Sequence, residues 1–263
     1  FGNSELALRL PSILASLLCL FISYFIALKI SNKKSALISV FSLSSMPFWI
    51  QYSRYASPDI SFVLCILLFI YLFLNFIECS SKNKKSIYIF FSGFFISISF
   101  FIRSYMAFVP FIGLTPFILL NLYKSRMYYK TIFCTGFFFG LIPTFLNLYF
   151  AFQSFGMEGL SILFVFAHKQ ATGGIDFDHL ILIPVNFLFL TFPVGLLLII
   201  LFVFTRSKNI TKFPLLVYVY PFISLFILLC MSTSYPHYFL FLSPSLAILF
   251  SSLVTSYSFR FSF

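Results

Sequence analysis

The sequence predicts an all-α, polytopic transmembrane helix bundle, and three observations carry that expectation. Hydrophobic residues fill 61% of the 263 positions and charged residues only 9%, far from the near-half apolar, quarter-charged balance of a soluble domain. The apolar residues fall in runs of about 20, the length one helix needs to cross a ~30 Å hydrocarbon core. The runs also lack the in-out alternation of a β-barrel, and because hydrocarbon offers no partner to unpaired backbone groups, helices remain.

Taken in order, apolar runs between charged or Gly/Pro-marked breaks place about nine spans near 10–29, 35–52, 58–78, 86–103, 105–123, 130–152, 181–204, 213–232 and 236–256. The longest polar stretch, about 153–180, holds the weakly amphipathic EGLSILFVFAHK followed by QATGGIDFDH. It is expected to form a short surface helix and loop. The chain shows no internal repeat or second soluble domain, so residues 1–263 read as a single transmembrane domain. It opens on Phe1 and a polar FGNSE segment with no charged region ahead of an apolar one, which suggests an internal fragment.

Orientation follows from the basic residues of the short loops. Lys29, Lys33 and Lys34 follow the first span, Lys82, Lys84 and Lys85 the third, Lys124, Arg126 and Lys130 the fifth, Arg206, Lys208 and Lys212 the seventh, and Arg260 the last. Thirteen of the 17 Lys and Arg thus lie on alternate loops, as a cytoplasmic side should. The first residues are therefore extracytoplasmic. Glu5, Asp59, Glu158, Asp176 and Asp178 fall on the outer side and only Glu78 on the inner. The outer face also carries all three histidines and arginines that topology does not need, so chemistry is expected there.

Other classes fit poorly. Net charge is +11, but the basic residues are dispersed over connecting segments, without the interleaved aromatics that nucleic acid would meet. The cysteines Cys19, Cys65, Cys79, Cys134 and Cys230 lie in or beside apolar runs with no CxxC spacing, so they read as small hydrophobes. The 43 Phe and 15 Tyr read as lipid-facing bulk and interfacial belts.

Four clusters could carry chemistry. Ser57-Pro58-Asp59 opens the third span just after Arg54 and Tyr55. The acid suits a catalytic role or a cationic partner beside a lipid phosphate, and the same three residues suit a helix start, with Ser57 as cap, Pro58 in the first turn and Asp59 on the dipole. Arg103, in FFIRSYMAF, ends the fourth span. With Arg54 it could grip the phosphate of a lipid-linked donor, the plainer alternative being snorkelling to headgroups. Asp176-Phe177-Asp178-His179 follows Gly173-Gly174 and admits a divalent metal, although no metal is required by a lipid monophosphate donor and two acids in a solvated turn explain it as well. Ser234-Tyr235-Pro236-His237-Tyr238 begins the last span, where His237 and Tyr238 could contact substrate hydroxyls or simply belong to the aromatic belt. Glu5 and Arg9 stand i,i+4, spaced for an ion pair.

The segment FGNSELALRLPSILASLL, with Glu5, Arg9 and Pro11, resembles bacterial membrane glycosyltransferases of the GT-C superfamily, the dolichyl-phosphate-mannose protein mannosyltransferase type that includes lipid A aminoarabinose transferases. Looser likenesses are Arg54 to Asp59, similar to a second external acidic site, Phe100 to Tyr105, similar to a short outer turn with a basic residue, and the closing PHYFLFLSPSLAIL. The resemblance implies a GT-C-like core and transfer of a sugar from a polyprenyl-phosphate carrier to an unspecified acceptor on the outer face, with membrane lipids around it. It also implies a main catalytic acid in a first external loop upstream of Glu5, so that an N-terminal span and that loop are expected to be missing. Asp59 would then be an auxiliary acid and Arg103 a phosphate contact. A transporter or lipid flippase, which should place charges at mid-membrane and show two related halves, and a surface-polysaccharide polymerase or ligase are the rival readings.

Overall fold

The computed structural model describes residues 4–172, 177–204, 212–231 and 235–258, and these form helices and turns with no strand. Helix α1 (Glu5–Ile30) starts where the Ser4 hydroxyl accepts the Ala7 N–H at 3.3 Å. Its 26 residues reach about 39 Å at 1.5 Å per residue, enough to cross a bilayer. Helix α2 (Lys33–Ser45) is capped by Asn32 and runs to α3 (Pro47–Arg54). Helices α4 (Asp59–Glu78) and α5 (Lys82–Arg103) follow, and a 3-10 turn (Ser104–Ala107) leads into α6 (Phe108–Lys124). Then come α7 (Met127–Gly140), α8 (Ile142–Thr172), α9 (Phe177–Leu190) and α10 (Val194–Phe204). A π-turn (Leu215–Val219) enters α11 (Tyr220–Leu229), and a 3-10 turn (Pro236–Phe239) precedes α12 (Leu242–Ser258).

Nine straight crossings are not what the helices make. Among the described residues Glu5–Ile30, Asp59–Glu78 and Lys82–Lys124 are long and apolar enough to cross, and counting each of two bent pairs as one span raises the number to five. Proline accounts for the breaks, since it removes a backbone donor and pushes the preceding residue out of the helical region. Met46, ahead of Pro47, is extended and splits the expected span 35–52. The span expected at 130–152 bends by 41° around Leu141, two residues before Pro143. The span expected at 181–204 turns by 112° between Leu190 and Val194, around Pro193. The stretch expected as a surface helix and loop contains a helical break at Gly156 (φ 60°), after which α8 continues as helix to Thr172.

Contacts nevertheless fix a direction for most helices. The Ser12 hydroxyl donates to the Ser57 carbonyl at 3.1 Å, and at the other end Lys29 pairs with Glu78, so α1 and α4 run the same way. Arg103 pairs with Asp59 while Lys85 sits over Phe76, so α5 returns antiparallel to α4. Phe111 packs on Phe69 and Phe117 on Phe73, so the chain reverses at the Ser104 turn and α6 descends beside α4. Phe133 on Phe76 and Phe137 on Phe69 send α7 back up. Phe241 against Phe62 and Ser251 against Ser35 bring α12 down. Among the described residues, the basic side chains read from the sequence on one side, such as Lys29, Lys82, Lys85 and Lys212, gather at one end of the bundle, and Asp59 and Arg103 lie at the other. Arg206, Lys208 and Arg260 lie outside the described residues.

Among the described residues more Phe side chains are exposed than buried, as lipid-facing bulk would be, but a subset of the rings turns inward. Phe48, Phe69, Phe73, Phe76 and Phe117 are buried, and Phe69, Phe73, Phe111, Phe133 and Phe137 form one packed array with centroids 5.4–6.4 Å apart. In lipid, helix association depends on shape and dispersion because tails are as apolar as side chains, so large flat groups are useful inside. Small residues do the rest. Gly93 and Gly140 let α5 and α7 touch, for a Cβ at Gly93 would lie 2.5 Å from the Phe137 carbonyl oxygen. Ser97 donates to the Gly140 carbonyl at 3.1 Å and accepts from Thr144 at 2.9 Å in the same contact.

Candidate functional site

The residues that could act on a substrate converge where α3 ends, α4 begins, α5 ends and the turn before α12 starts. Asp59 opens α4 in its first turn, as expected, but Pro58 rather than Ser57 stands at the cap position; the Asp59 N–H reaches the Ser57 hydroxyl at 3.3 Å. The same carboxylate is buried, and each oxygen has a partner: Oδ1 accepts from the Arg103 Nη2 and Oδ2 from the Ser57 hydroxyl. Ser12, directly after Pro11, holds the Ser57 carbonyl and so ties α1 to this turn. Arg103 ends α5 with 24% of its side chain exposed. Its buried Nε finds no acceptor among the described residues. A guanidinium has five donors, and a carboxylate that fixes one edge leaves the others for an incoming anion.

Tyrosines and a histidine surround this pair. Tyr52, His237 and Tyr238 each lie within electrostatic reach of both Asp59 and Arg103. Tyr52 stacks edge-on against Tyr55 at 5.7 Å and Phe48 at 5.1 Å. His237 lies parallel to Tyr235 at 5.6 Å and edge-on to Tyr238 at 4.5 Å, and Tyr238 interacts with Tyr105 from the turn after Arg103. Partial burial lowers His237 below the usual imidazole range, with the Arg103 charge acting in the same direction and the Asp59 carboxylate opposing. The ring is thus neutral at pH 7, able to donate through one nitrogen and accept through the other.

Of the residues singled out in the sequence, Asp59, Arg103, His237 and Tyr238 come together. Arg54 does not join the ion pair: it is exposed at the end of α3 and makes no ion pair among the described residues. Glu5 and Arg9 form the i,i+4 pair their spacing allows, on an exposed surface. Asp176 and Ser234 lie outside the described residues, as do the side chains of Asp178 and His179 in the first turn of α9. Among the described residues no group of three His, Cys, Asp or Glu side chains could hold a metal. Tyr52 and Tyr105 were not singled out. Their signal was position, two residues ahead of Arg54 and two beyond Arg103 in the same outer turns.

The other end of the bundle has its own cluster. Glu78, at the end of α4, accepts from Lys29 of α1 and Lys212 before α11, and the Lys212 N–H bonds the Ile30 carbonyl at 3.1 Å.

Comparison with known proteins adds two findings. A family profile described as dolichyl-phosphate-mannose-protein mannosyltransferase matches residues 1–150. Among solved structures, ArnT from Cupriavidus metallidurans bound to undecaprenyl phosphate is similar with a TM-score of 0.76 and 16% identity over 97% of this chain and 47% of that one. The same protein in its apo state gives a TM-score of 0.70 and 15% identity over 96% and 47%. This likeness is one of fold, and the chain spans about half the length of the structures it matches. No curated protein sequence matches.

Proposed function

This chain belongs to the dolichyl-phosphate-mannose-protein mannosyltransferase family, and from that premise we propose that it is the core of a membrane glycosyltransferase moving a sugar from a polyprenyl-phosphate carrier to an acceptor on the extracytoplasmic face. The observation that carries the reading is the buried Asp59–Arg103 pair at the end of the bundle away from the lysine-rich loops. The membrane path is nine passes with the first residues outside, several of them made by helices broken at prolines. The site then opens at the outer surface of a bacterial inner membrane.

In this reading an acceptor hydroxyl attacks the anomeric carbon, the bond from that carbon to the phosphate oxygen breaks, and polyprenyl phosphate departs with inversion, the hydroxyl proton ending on the departing phosphate. Negative charge builds on the leaving phosphate, and a guanidinium fixed beforehand meets it without reorganising. Asp59 acts as the auxiliary acid that fixes it, since both its oxygens are engaged. His237, Tyr238 and Tyr52 contact the sugar or the phosphate. Arg54, exposed on the approach, attracts the donor headgroup. No metal is required by a monophosphate donor.

The test is sugar transfer by the full-length protein from a polyprenyl-phosphate donor. Arg103→Ala is expected to lower turnover by about 10²-fold, the usual cost of losing one preorganised donor to developing charge. Asp59→Asn should lower it less, with both variants still inserting in the membrane. Unchanged turnover in the two would remove the pair from the site.

A further inference from the structure

The lysine-rich end holds more positive charge than its ion pairs use. Glu78 is taken by Lys29 and Lys212. Lys82 and Lys85, in the first turn of α5, pair with rings and with no carboxylate among the described residues: Lys82 lies 4.7 Å from the Tyr128 ring centre, and Lys85 lies 4.0 Å from that of Tyr129 and 5.0 Å from that of Phe76. Tyr128 and Tyr129 are neighbours on α7 with ring centres 5.8 Å apart. Lys85 is only 5% exposed. A ring face attracts an ammonium but satisfies none of its three N–H donors, so both ammonium groups are left able to donate to an incoming anion. The N-termini of α5 and α7 add their free N–H groups and positive dipole ends to the same corner.

Next to this corner, α5 and α7 leave a groove of about 440 Å³ lined by Ser86, Phe90, Thr135, Gly136 and Phe139 among others. Lys82, Ser86 and Phe90 are spaced four apart, so the stripe of α5 that borders the groove ends in an ammonium. A cationic, aromatic rim above an apolar channel matches a lipid with an anionic head and an acyl tail. We propose that this corner binds one anionic glycerophospholipid of the leaflet at the lysine-rich end, its phosphate on Lys82 and Lys85 and one acyl chain in the α5–α7 groove.

The experiment is native mass spectrometry of the full-length protein equilibrated with micelles containing phosphatidylglycerol or phosphatidylcholine. Phosphatidylglycerol should be retained, phosphatidylcholine should not, and millimolar inorganic phosphate should fail to displace the bound lipid. Each lysine near the surface contributes about fivefold, so Lys82→Gln with Lys85→Gln should cut retention by on the order of 25-fold, whereas Lys33→Gln with Lys34→Gln, the same charge change at the same end, should leave it intact. Thr135→Phe, which fills the groove and spares both lysines, should also abolish retention and covers the case in which the lysine variant does not fold. Equal loss in the two double-lysine variants, equal retention of the two lipids, displacement by phosphate, or retention by Thr135→Phe would each overturn the proposal.

Discussion

The two ends of the bundle both join helices with an acid and a base, but they are built differently. At one end a single carboxylate, 7% exposed, meets a single guanidinium, 24% exposed, and a serine takes the second carboxylate oxygen. At the other, Glu78 is 25% exposed and shared by two lysines, 22% and 57% exposed. The first arrangement is dry and has no substitute for either member. The second is wetter and redundant. Desolvating an ion pair is so costly that an apolar replacement is often as stable, which makes the Asp59–Arg103 pair a poor device for mere stability and a good one for holding a charged group in a set position. The Glu78 cluster needs only to tether α1, α4 and the segment entering α11.

The contrast is sharpest in unfolding. Arg103→Ala leaves a buried carboxylate facing only Ser57, and the expected loss is about 3–5 kcal/mol, seen as a lower melting temperature in detergent. Lys212→Ala leaves Glu78 still paired with Lys29, and the expected loss is about 0–1 kcal/mol. Similar losses at the two ends would erase the distinction. A smaller effect separates the ends by pH. The folded-state pKa of His237 is depressed, so between the folded and unfolded values the unfolded chain binds more protons. The stability of the neutral ring is complete above the ordinary imidazole pKa of about 6.5 and is lost as pH falls through the folded value. Melting curves from pH 7.5 to 5 should show a decline that His237→Gln removes. A decline of the same size in the variant would place its origin elsewhere.

Much of this contrast was legible in the sequence. The alternate distribution of Lys and Arg identified which helix ends lie together, and Glu5 with Arg9 and Ser57-Pro58-Asp59 form their local contacts because those depend on spacings of two to four residues. The partner of Asp59 was not legible in this way. Arg54 and Arg103 are equally basic and both adjoin outer turns, and only the antiparallel packing of α4 and α5 brings the second one onto the acid, 44 residues away in sequence. The Glu78 cluster failed for the same reason, as its lysines come from α1 and from 134 residues beyond. The breaks at Pro47, Pro143 and Pro193 were written in the chain, but uniformly apolar surroundings hid them in spans judged by hydropathy. The buried Phe array was missed because in lipid an inward and an outward face have the same polarity.

The account depends on which side of the membrane each end faces, and impermeant thiol labelling in intact cells tests this most directly. In a chain with its five cysteines replaced, Tyr55→Cys marks the Asp59 end and Ser81→Cys the Glu78 end, both at exposed positions. Tyr55→Cys should react in intact cells and Ser81→Cys only after the membrane is opened. The reverse pattern would put Asp59 and Arg103 in the cytoplasm and contradict the proposed reaction.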